Sequence, residues 1–195
     1  MRKIHIPIFL PDFIFRLHIW LILRYRKLRY GYAFRKIPLT QGKFAIVDPE
    51  DYQELSKYNW YAVRSPRGFY AVRTVFTKKA RVVRKTVGMH RVILNAPEGK
   101  FIDHINHNGL DNRKSNLRIC TIQQNIWNMR KQKSNCASKY KGVTWRKDID
   151  KWQARVVCGG KVFSCGHFED EKAAAAAYDK KAKELFGEFA APNLP

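Results

Sequence analysis

The sequence predicts an α+β fold with many short strands and few helices. Three observations support this class. Segments rich in Val, Tyr and Phe alternate with turn residues over residues 43–94. A turn-rich loop at 106–112 separates two short apolar segments, and Thr121 with Gln124 then forms the capping-box pattern of a helix start. Five consecutive alanines at 173–177 favour a second helix near the C-terminus.

Residues 1–35 are predicted to be a basic and apolar N-terminal extension. The run from Ile6 to Leu23 is rich in large apolar residues, but prolines and charged residues interrupt it, so it falls short of a membrane span. No small-residue cleavage site follows it, so no signal peptide is predicted. We expect a packed helix with a basic end. The cluster from Arg24 to Arg29 leaves open an interfacial helix on anionic lipid or a contact with the DNA backbone.

Residues 36–133 are predicted to contain a β-rich region and then a hairpin-helix core at about 89–133. In the β-rich region we expect a helix at 49–58 capped by Asp48, turns at 65–68 and 77–80, and strands at 43–47, 60–64, 69–76 and 81–88. Met89 to Leu94 leads to the hairpin, whose first strand ends at Phe101-Ile102 and whose second covers 117–120.

Residues 134–195 are predicted to form a separate domain, because the polar stretch 134–139 breaks the pattern. Three strands are expected at 142–146, 152–157 and 161–165, followed by a helix from Asp170 to about Phe186 that Gly187 ends. The alanines allow this helix to lie close on the three-stranded sheet.

The charge of the chain predicts a polyanionic partner. Lys and Arg number 38 against 16 acidic residues, which gives a net charge of +22. Such a field attracts nucleic acid, the commonest polyanion in a cell. The four cysteines show no C-x-x-C spacing, so neither a zinc site nor a disulfide framework is predicted. We expect reduced thiols in a cytoplasmic protein.

The stretch 103–125 contains the residue types of a small hydrolytic metal site. Asp103 and Asn125 offer oxygens to a hard cation, and His104 offers an imidazole suited to proton transfer near neutral pH. Asn125 is predicted to lie one turn into the helix, where it can face back towards the hairpin. The pattern predicts a site for one metal ion and one activated water.

His104, Asn116 and Asn125 fit the motif H-x11-N-x8-N, with Asp103 directly before the histidine. This stretch resembles the HNH nucleases, and the resemblance implies the ββα-metal (His-Me finger) core of that family. It implies that His104 is the general base, that Asp103 and Asn125 are metal ligands, and that Asn116 pins the hairpin loop.

The asparagine at the third motif position resembles the variant of phage- and intron-encoded homing endonucleases. This variant implies one Mg²⁺ per site, with Mn²⁺ able to substitute, no zinc and no small-molecule cofactor. It also suggests a bacterium or a phage-infected host. The Met-His-Arg triplet at 89–91 is similar to phage-type members too, and His90 either neighbours the site or is a buried structural histidine. Arg91, Arg113 and Arg118 are candidate phosphate clamps.

The C-terminal segment, roughly 138–195, resembles the APETALA-type (ethylene-response-factor) DNA-binding domain of plants. The resemblance rests on Y-x-G-V at 140–143, A-A-x-A-Y-D ending at Asp179, and N-x-P at 193–195. It implies that the sheet reads the major groove through side chains on its outer face. The candidate DNA contacts are Lys141, Trp145, Arg146, Trp152, Arg155 and Lys161. Thr144, Arg155 and Val157 depart from the plant pattern, so the plant recognition sequence is not inferred.

The sequence therefore predicts a homing-type endonuclease that acts on double-stranded DNA, expected to be monomeric and without membrane contact. A non-catalytic DNA-binding regulator derived from such a nuclease is the main alternative. A membrane-tethered basic protein and a nuclease that prefers RNA also stay open, because attraction to phosphate does not distinguish the two polymers.

Overall fold

A computed structural model describes residues 11–79, 81–131 and 137–194. Within these ranges the helices are α1 (Asp12–Tyr30), α2 (Pro49–Leu55), α3 (Met89–Leu94), α4 (Ile122–Trp127) and α5 (Glu171–Phe186). The strands are β1 (Arg35–Pro38), β2 (Phe44–Val47), β3 (Tyr61–Ser65), β4 (Gly68–Lys79), β5 (Arg81–Gly88), β6 (Phe101–His104), β7 (Leu117–Cys120), β8 (Val143–Arg146), β9 (Lys151–Cys158) and β10 (Lys161–Phe168). None of the helices in the described ranges combines the length and apolar character that crossing a membrane requires.

The strands form small sheets, so the mixed α and β content expected from the sequence is confirmed. β1 pairs with β2, β6 with β7, and β4 lies between β3 and β5. In the last sheet β9 lies between β8 and β10, and both pairings are antiparallel.

The chain divides into two compact units, and neither unit is a continuous stretch. The first comprises Met1–Asn95 with Asn108–Leu117, and the second comprises Ala96–His107 with Arg118–Pro195. The domain boundary predicted at 134–139 stays a prediction, and its residues 134–136 lie outside the described ranges.

The first unit is organised around a small apolar core to which the loop 108–117 contributes. The core includes Ile37, Ala45, Val47, Leu55, Trp60, Ala71 and Met89. The loop pairs with β2, because the Ile46 amide donates to the Leu110 carbonyl at 2.8 Å and the Asn112 amide donates to the Ile46 carbonyl at 2.7 Å. Gly109 is required here, since a Cβ would lie 2.6 Å from the carbonyl oxygen of Phe69.

Helix α1 forms where the apolar run predicted one, but the expectation that it packs is wrong for the described residues. None of its side chains is buried, and Phe13, Trp20 and Leu28 are at least half exposed. Its sequence is apolar on several sides, so no single stripe is available to face a core. Residues 6–10 of the predicted run lie outside the described ranges.

Several element boundaries differ from the predictions. α2 ends at Leu55 rather than Tyr58, and Asp48 occupies its N-cap position without a side-chain bond to the helix. The Asp48 carboxylate instead accepts from the Lys114 amide at 2.7 Å. β1 and α3 were not predicted, because four and six residues are too few to show a period. The predicted turn at 77–80 is wrong for 77–79, since β4 continues to Lys79, and residue 80 lies outside the described ranges.

The second unit has its core between α5 and the sheet of β8 to β10. Val143, Ala154 and Val156 meet the face of α5 that carries Ala174 and Tyr178. Asp170 caps the helix by accepting from the Ala173 amide at 2.8 Å. The helix predicted from Asp170 to Phe186 is thus confirmed, and the three strands are confirmed with ends shifted by one to three residues.

Candidate active site

Strand β6 places Asp103 and His104 at its end. As whole residues they are only 5% and 6% exposed, although the two residues before them are exposed or half-buried. The strand continues two residues past the predicted end at Ile102, so both polar residues belong to it. The His104 carbonyl then accepts from the His107 amide at 2.9 Å, which closes the turn after the strand.

The Asp103 carboxylate is held by two side chains. Arg118 on β7 donates from Nε and Nη2 to Oδ2 at 2.9 and 2.8 Å. Asn128 donates from Nδ2 to Oδ1 at 2.9 Å and also lies 3.3 Å from the His104 carbonyl oxygen. A buried carboxylate requires such partners, because an unpaired buried charge is strongly unfavourable.

Arg118 is itself enclosed, which bears on its predicted role as a phosphate clamp. Its side chain is 11% exposed. It donates from Nη1 to the Glu188 carbonyl at 2.5 Å, and its guanidinium lies 4.0 Å from the centre of the Phe189 ring. The structure therefore places the Arg118 guanidinium against the Asp103 carboxylate, within the second unit.

Helix α4 carries Asn125, and Asn128 follows at its C-cap position. The predicted capping box at its start is confirmed, because the Gln124 amide donates to Thr121 Oγ1 at 3.2 Å and the Thr121 amide donates to Gln124 Oε1 at 2.8 Å. Asn125 is half-buried, and Asn128 follows it by three residues at the C-cap position. Residues three apart lie on the same helix face. The spacing Asn-x-x-Asn could therefore have predicted that Asn128 lies on the same face as Asn125, which the H-x11-N-x8-N motif does not include.

Asn116 lies in the first unit and fixes the loop before β7. Its side chain is buried, and Nδ2 donates to the Asp111 carbonyl at 2.7 Å. The Asp111 carboxylate receives a two-point bond from Arg113 at 2.8 and 2.6 Å, which raises the pKa of Arg113. The Arg113 guanidinium also lies 3.5 Å from the centre of the Tyr32 ring, so this second predicted clamp is likewise engaged within its own unit.

The Asp103 carboxylate retains capacity for a hard cation. A carboxylate has about four lone-pair directions. Arg118 uses two on Oδ2 and Asn128 uses one on Oδ1, which leaves one direction on Oδ1. Oxygen donors of this kind, together with an amide oxygen, suit Mg²⁺ better than zinc.

A second group of acidic side chains in the described residues does not form a comparable site. Asp48, Glu50 and Asp51 bring carboxylate oxygens within 4.8 Å of one another. Lys114 already satisfies two of them, through its amide on Asp48 and its ammonium 2.8 Å from Asp51. These carboxylates are explained by the docking of the loop.

Comparison with known proteins identifies the family. The family model described as HNH endonuclease matches residues 87–126. A protein of Acanthamoeba polyphaga mimivirus that is named as an HNH endonuclease is 36% identical over 159 residues, which cover 78% of this chain and 76% of the relative. The chain belongs to the HNH endonuclease family.

The match places the motif residues of this HNH endonuclease inside the family region and Asn128 just outside it. Protein 3.8 of Escherichia phage T7 is also 36% identical, over 94 residues that cover 48% of this chain and 76% of that protein. No solved structure matches the chain significantly. The protein is accordingly a nuclease, and both of these relatives are viral proteins.

Two further predicted residues near the motif lie in the first unit. Arg91 is half-buried on α3. His90 packs edge-on against Tyr70, with ring centroids 6.3 Å apart, and a Cβ on Gly88 would lie 2.6 Å from its ring. This close packing favours the structural interpretation of His90.

The predicted DNA contacts in the last sheet of the endonuclease are divided between its two faces. Arg155 is exposed on the face opposite α5, and Arg146 shares that face but makes a two-point bond to Asp148 at 2.8 and 2.6 Å. Trp152 packs against the core and meets Trp145 edge-on at 5.0 Å between ring centroids. Lys161 is exposed at the start of β10, whereas the Lys141 ammonium donates to the Trp127 carbonyl at 2.7 Å.

Proposed function

We propose that this nuclease is a metal-dependent, homing-type endonuclease that hydrolyses phosphodiester bonds in double-stranded DNA at Asp103, His104 and Asn125. The observation that carries the proposal is the buried pair at the end of β6, where Asp103 is held by Arg118 and by Asn128. A motif found by chance on a surface loop would not have its acidic member built into such a network.

His104 is proposed as the general base that takes a proton from the attacking water. The residue is held at the strand end by bonds to its carbonyl from the His107 amide and from Asn128. Both bonds go to the same carbonyl oxygen, so they fix the backbone from which the imidazole projects. A general base in the right position contributes about 10²–10⁴ in rate.

Asp103 and Asn125 are proposed to hold one divalent cation, Mg²⁺ with Mn²⁺ as a substitute. Bound there, the cation would supply electrostatic stabilisation for the phosphate and the departing 3′ oxygen. Arg118 neutralises much of the Asp103 charge, so the chain alone offers a weak site. Mg²⁺ sites with one carboxylate usually rely on substrate phosphate for the remaining charge.

Asn116 is proposed to support this site indirectly. Its bond to the Asp111 carbonyl fixes the loop from which β7 begins. β7 carries Arg118, and Arg118 holds Asp103. A defect at Asn116 is therefore expected to reduce the fraction of molecules with Asp103 in place.

The sheet of β8 to β10 is proposed to act as an APETALA-type reader of DNA sequence. The support is architectural, because α5 covers one face and leaves Thr144, Arg155 and Val157 exposed on the other. Arg155 is the best-placed candidate for a base or phosphate contact. The proposed role of Trp152 is to support the sheet from the helix side.

The variant His104→Ala tests the catalytic assignment. We expect loss of plasmid nicking in Mg²⁺ with nearly unchanged affinity for duplex DNA, because the imidazole is assigned to proton transfer and the affinity comes from the basic surface. His18→Ala, which removes an exposed histidine from α1, is the matched control and should nick normally. Equal loss of nicking and binding in His104→Ala would contradict the assignment. Binding without any nicking by the wild type would favour the regulator instead.

A further inference from the structure

A basic cavity lies in the second unit, apart from the residues that hold Asp103. Its volume is about 530 Å³. It is lined by His107, Arg130, Lys131, Lys139, Lys141 and the segment 191–194, with Tyr140 between two of the lysines. These lining residues include one arginine and three lysines, and none of them is acidic. Concave basic surfaces concentrate the potential that attracts anions.

The wall of this cavity is a fixed structure. The Asp179 carboxylate accepts the amides of Asn193 and Leu194 at 2.8 and 2.9 Å. The Asn193 side chain in turn bonds both backbone groups of Lys141, accepting from its amide at 2.7 Å and donating to its carbonyl at 3.1 Å. The helix α5, the C-terminal segment and the start of the sheet are thereby linked around the cavity.

The cationic side chains differ in how far the protein already uses them. Lys131 donates to the carbonyls of Ser138 and Tyr140 at 2.8 and 3.1 Å. Lys141 donates to the last carbonyls of α4. Within the described part of the chain, Arg130 and Lys139 make no ion pair with a carboxylate. Arg130 and Lys139 are therefore the charges most available to a ligand.

Two of the groups that line the cavity have lowered pKa values. Burial lowers the pKa of Lys141 to about 8. Burial, followed by the charge of Arg130, also lowers the pKa of His107. Both lowered pKa values mean that the protonated, positively charged form of each side chain is unfavourable in the cavity. A bound anion would make that form more favourable.

We propose that this cavity binds a backbone phosphate of the DNA substrate through Arg130 and Lys139, at a position separate from the scissile phosphate. The proposal rests on the proposed function, since it takes DNA as the substrate. Guanidinium and ammonium groups are the usual partners of phosphate oxygens. The volume exceeds that of a phosphate group alone, so the adjoining sugar also fits. His107 follows the proposed base by three residues, so the same turn leads from the reaction centre to this cavity.

The test compares two double variants of the full chain. Arg130→Gln with Lys139→Gln removes two charges from the cavity. Lys180→Gln with Lys183→Gln removes two exposed charges from α5, on sides of the helix that are not buried. Fluorescence anisotropy with a labelled duplex, in EDTA and over roughly 50–200 mM salt, gives the affinity and its salt dependence.

Loss of one phosphate contact should reduce the slope of log K against log salt by about 0.9 in magnitude. The cavity variant should show this reduction and a roughly tenfold weaker affinity. The α5 variant should show neither. Arg130→Lys with Lys139→Arg should restore both, and equal melting temperatures should exclude misfolding. An unchanged slope in the cavity variant would overturn the proposal.

Two further measurements separate the possible sources of phosphate and the two proposals. The first measures whether inorganic phosphate, at constant ionic strength, raises the melting temperature of the wild type but not of the cavity variant. If it does, and if the two proteins have equal slopes of log K for DNA against log salt, the cavity binds free phosphate and the DNA assignment is wrong. Plasmid nicking by the wild type is measured in parallel. If the wild type nicks DNA and the cavity variant has an unchanged salt slope, only the phosphate-binding role of the cavity is refuted. If the wild type neither binds nor nicks DNA, the proposed function is refuted.

Discussion

Replacing Arg118 with Met should destabilise the protein strongly, because it leaves Asp103 buried without its cation. The two side chains are 11% and 7% exposed. Breaking a buried ion pair from one side costs about 3–5 kcal/mol. At about 2–4 °C per kcal/mol for a chain of this size, the melting temperature should fall by roughly 6–20 °C. Urea denaturation at pH 7 with circular dichroism detection measures the same loss.

Arg146→Met is the matched control for this experiment. Arg146 also donates two bonds to a carboxylate, at 2.8 and 2.6 Å to the two oxygens of Asp148, but these side chains are 43% and 57% exposed. Water already solvates both groups, so this variant should be indistinguishable from wild type. The comparison tests the contribution of burial, since both pairs join a guanidinium to a carboxylate through Nε and Nη2. The pairs differ in that Arg118 places both bonds on Oδ2 of Asp103, whereas Arg146 bonds both oxygens of Asp148.

A third variant tests the cause directly. Adding Asp103→Asn to Arg118→Met removes the unpaired charge, so the double variant should be more stable than Arg118→Met alone. It should still fail to nick DNA, because the proposed ligand is lost. Equal losses in Arg118→Met and Arg146→Met, or no recovery in the double variant, would refute the argument that Arg118 neutralises Asp103.

Three other outcomes are expected. Gly142→Ala should lower the free energy of unfolding more than Gly160→Ala. The two glycines have φ of +74° and +75°, so an alanine at either position carries a left-handed strain of about 1–2 kcal/mol. Only at Gly142 would the new Cβ meet a ring, at 2.2 Å from Tyr178. That overlap should add roughly 1–3 kcal/mol in urea denaturation. Thr121→Ala should lower stability by about 1 kcal/mol, whereas Thr121→Ser should retain it. EDTA should stop nicking without changing the melting temperature, because Arg118 already balances the Asp103 charge, and a large decrease would contradict this.

Residues whose role depends on spacing along the chain were predictable. The capping box at Thr121 and the cap of α5 at Asp170 follow local rules that a few neighbouring residues satisfy. The strand before Asp103 and His104 follows from the same local pattern, although it continues two residues past its predicted end at Ile102 and so includes both. The capping residues, the alternation of apolar and polar side chains and the turn residues that specify these features all lie within a few positions of one another in the sequence.

Residues whose role depends on a partner far along the chain were not predictable. Asn128 reaches Asp103 across 25 positions, and Asp48 leaves its expected helix cap to accept from Lys114 across 66 positions. Arg118 has the charge of a phosphate clamp, but only its contact with Asp103 reveals the internal role. The prediction that α1 packs rested on its hydrophobic residues. Hydrophobicity alone does not show whether the rest of the chain provides a core against which the helix can pack.

The interleaving of the two compact units limits how the chain can be cut. A fragment that ends before residue 108 loses the segment whose backbone pairs with Ile46, so the amide and the carbonyl of Ile46 on β2 would lose their partners. A fragment that begins at residue 118 loses β6, and with it the carboxylate that Arg118 and Asn128 surround. Limited proteolysis or gene truncation within 96–117 should therefore inactivate both units at once. A recombinant that exchanges one unit for that of a relative would have to keep both segments of that unit together.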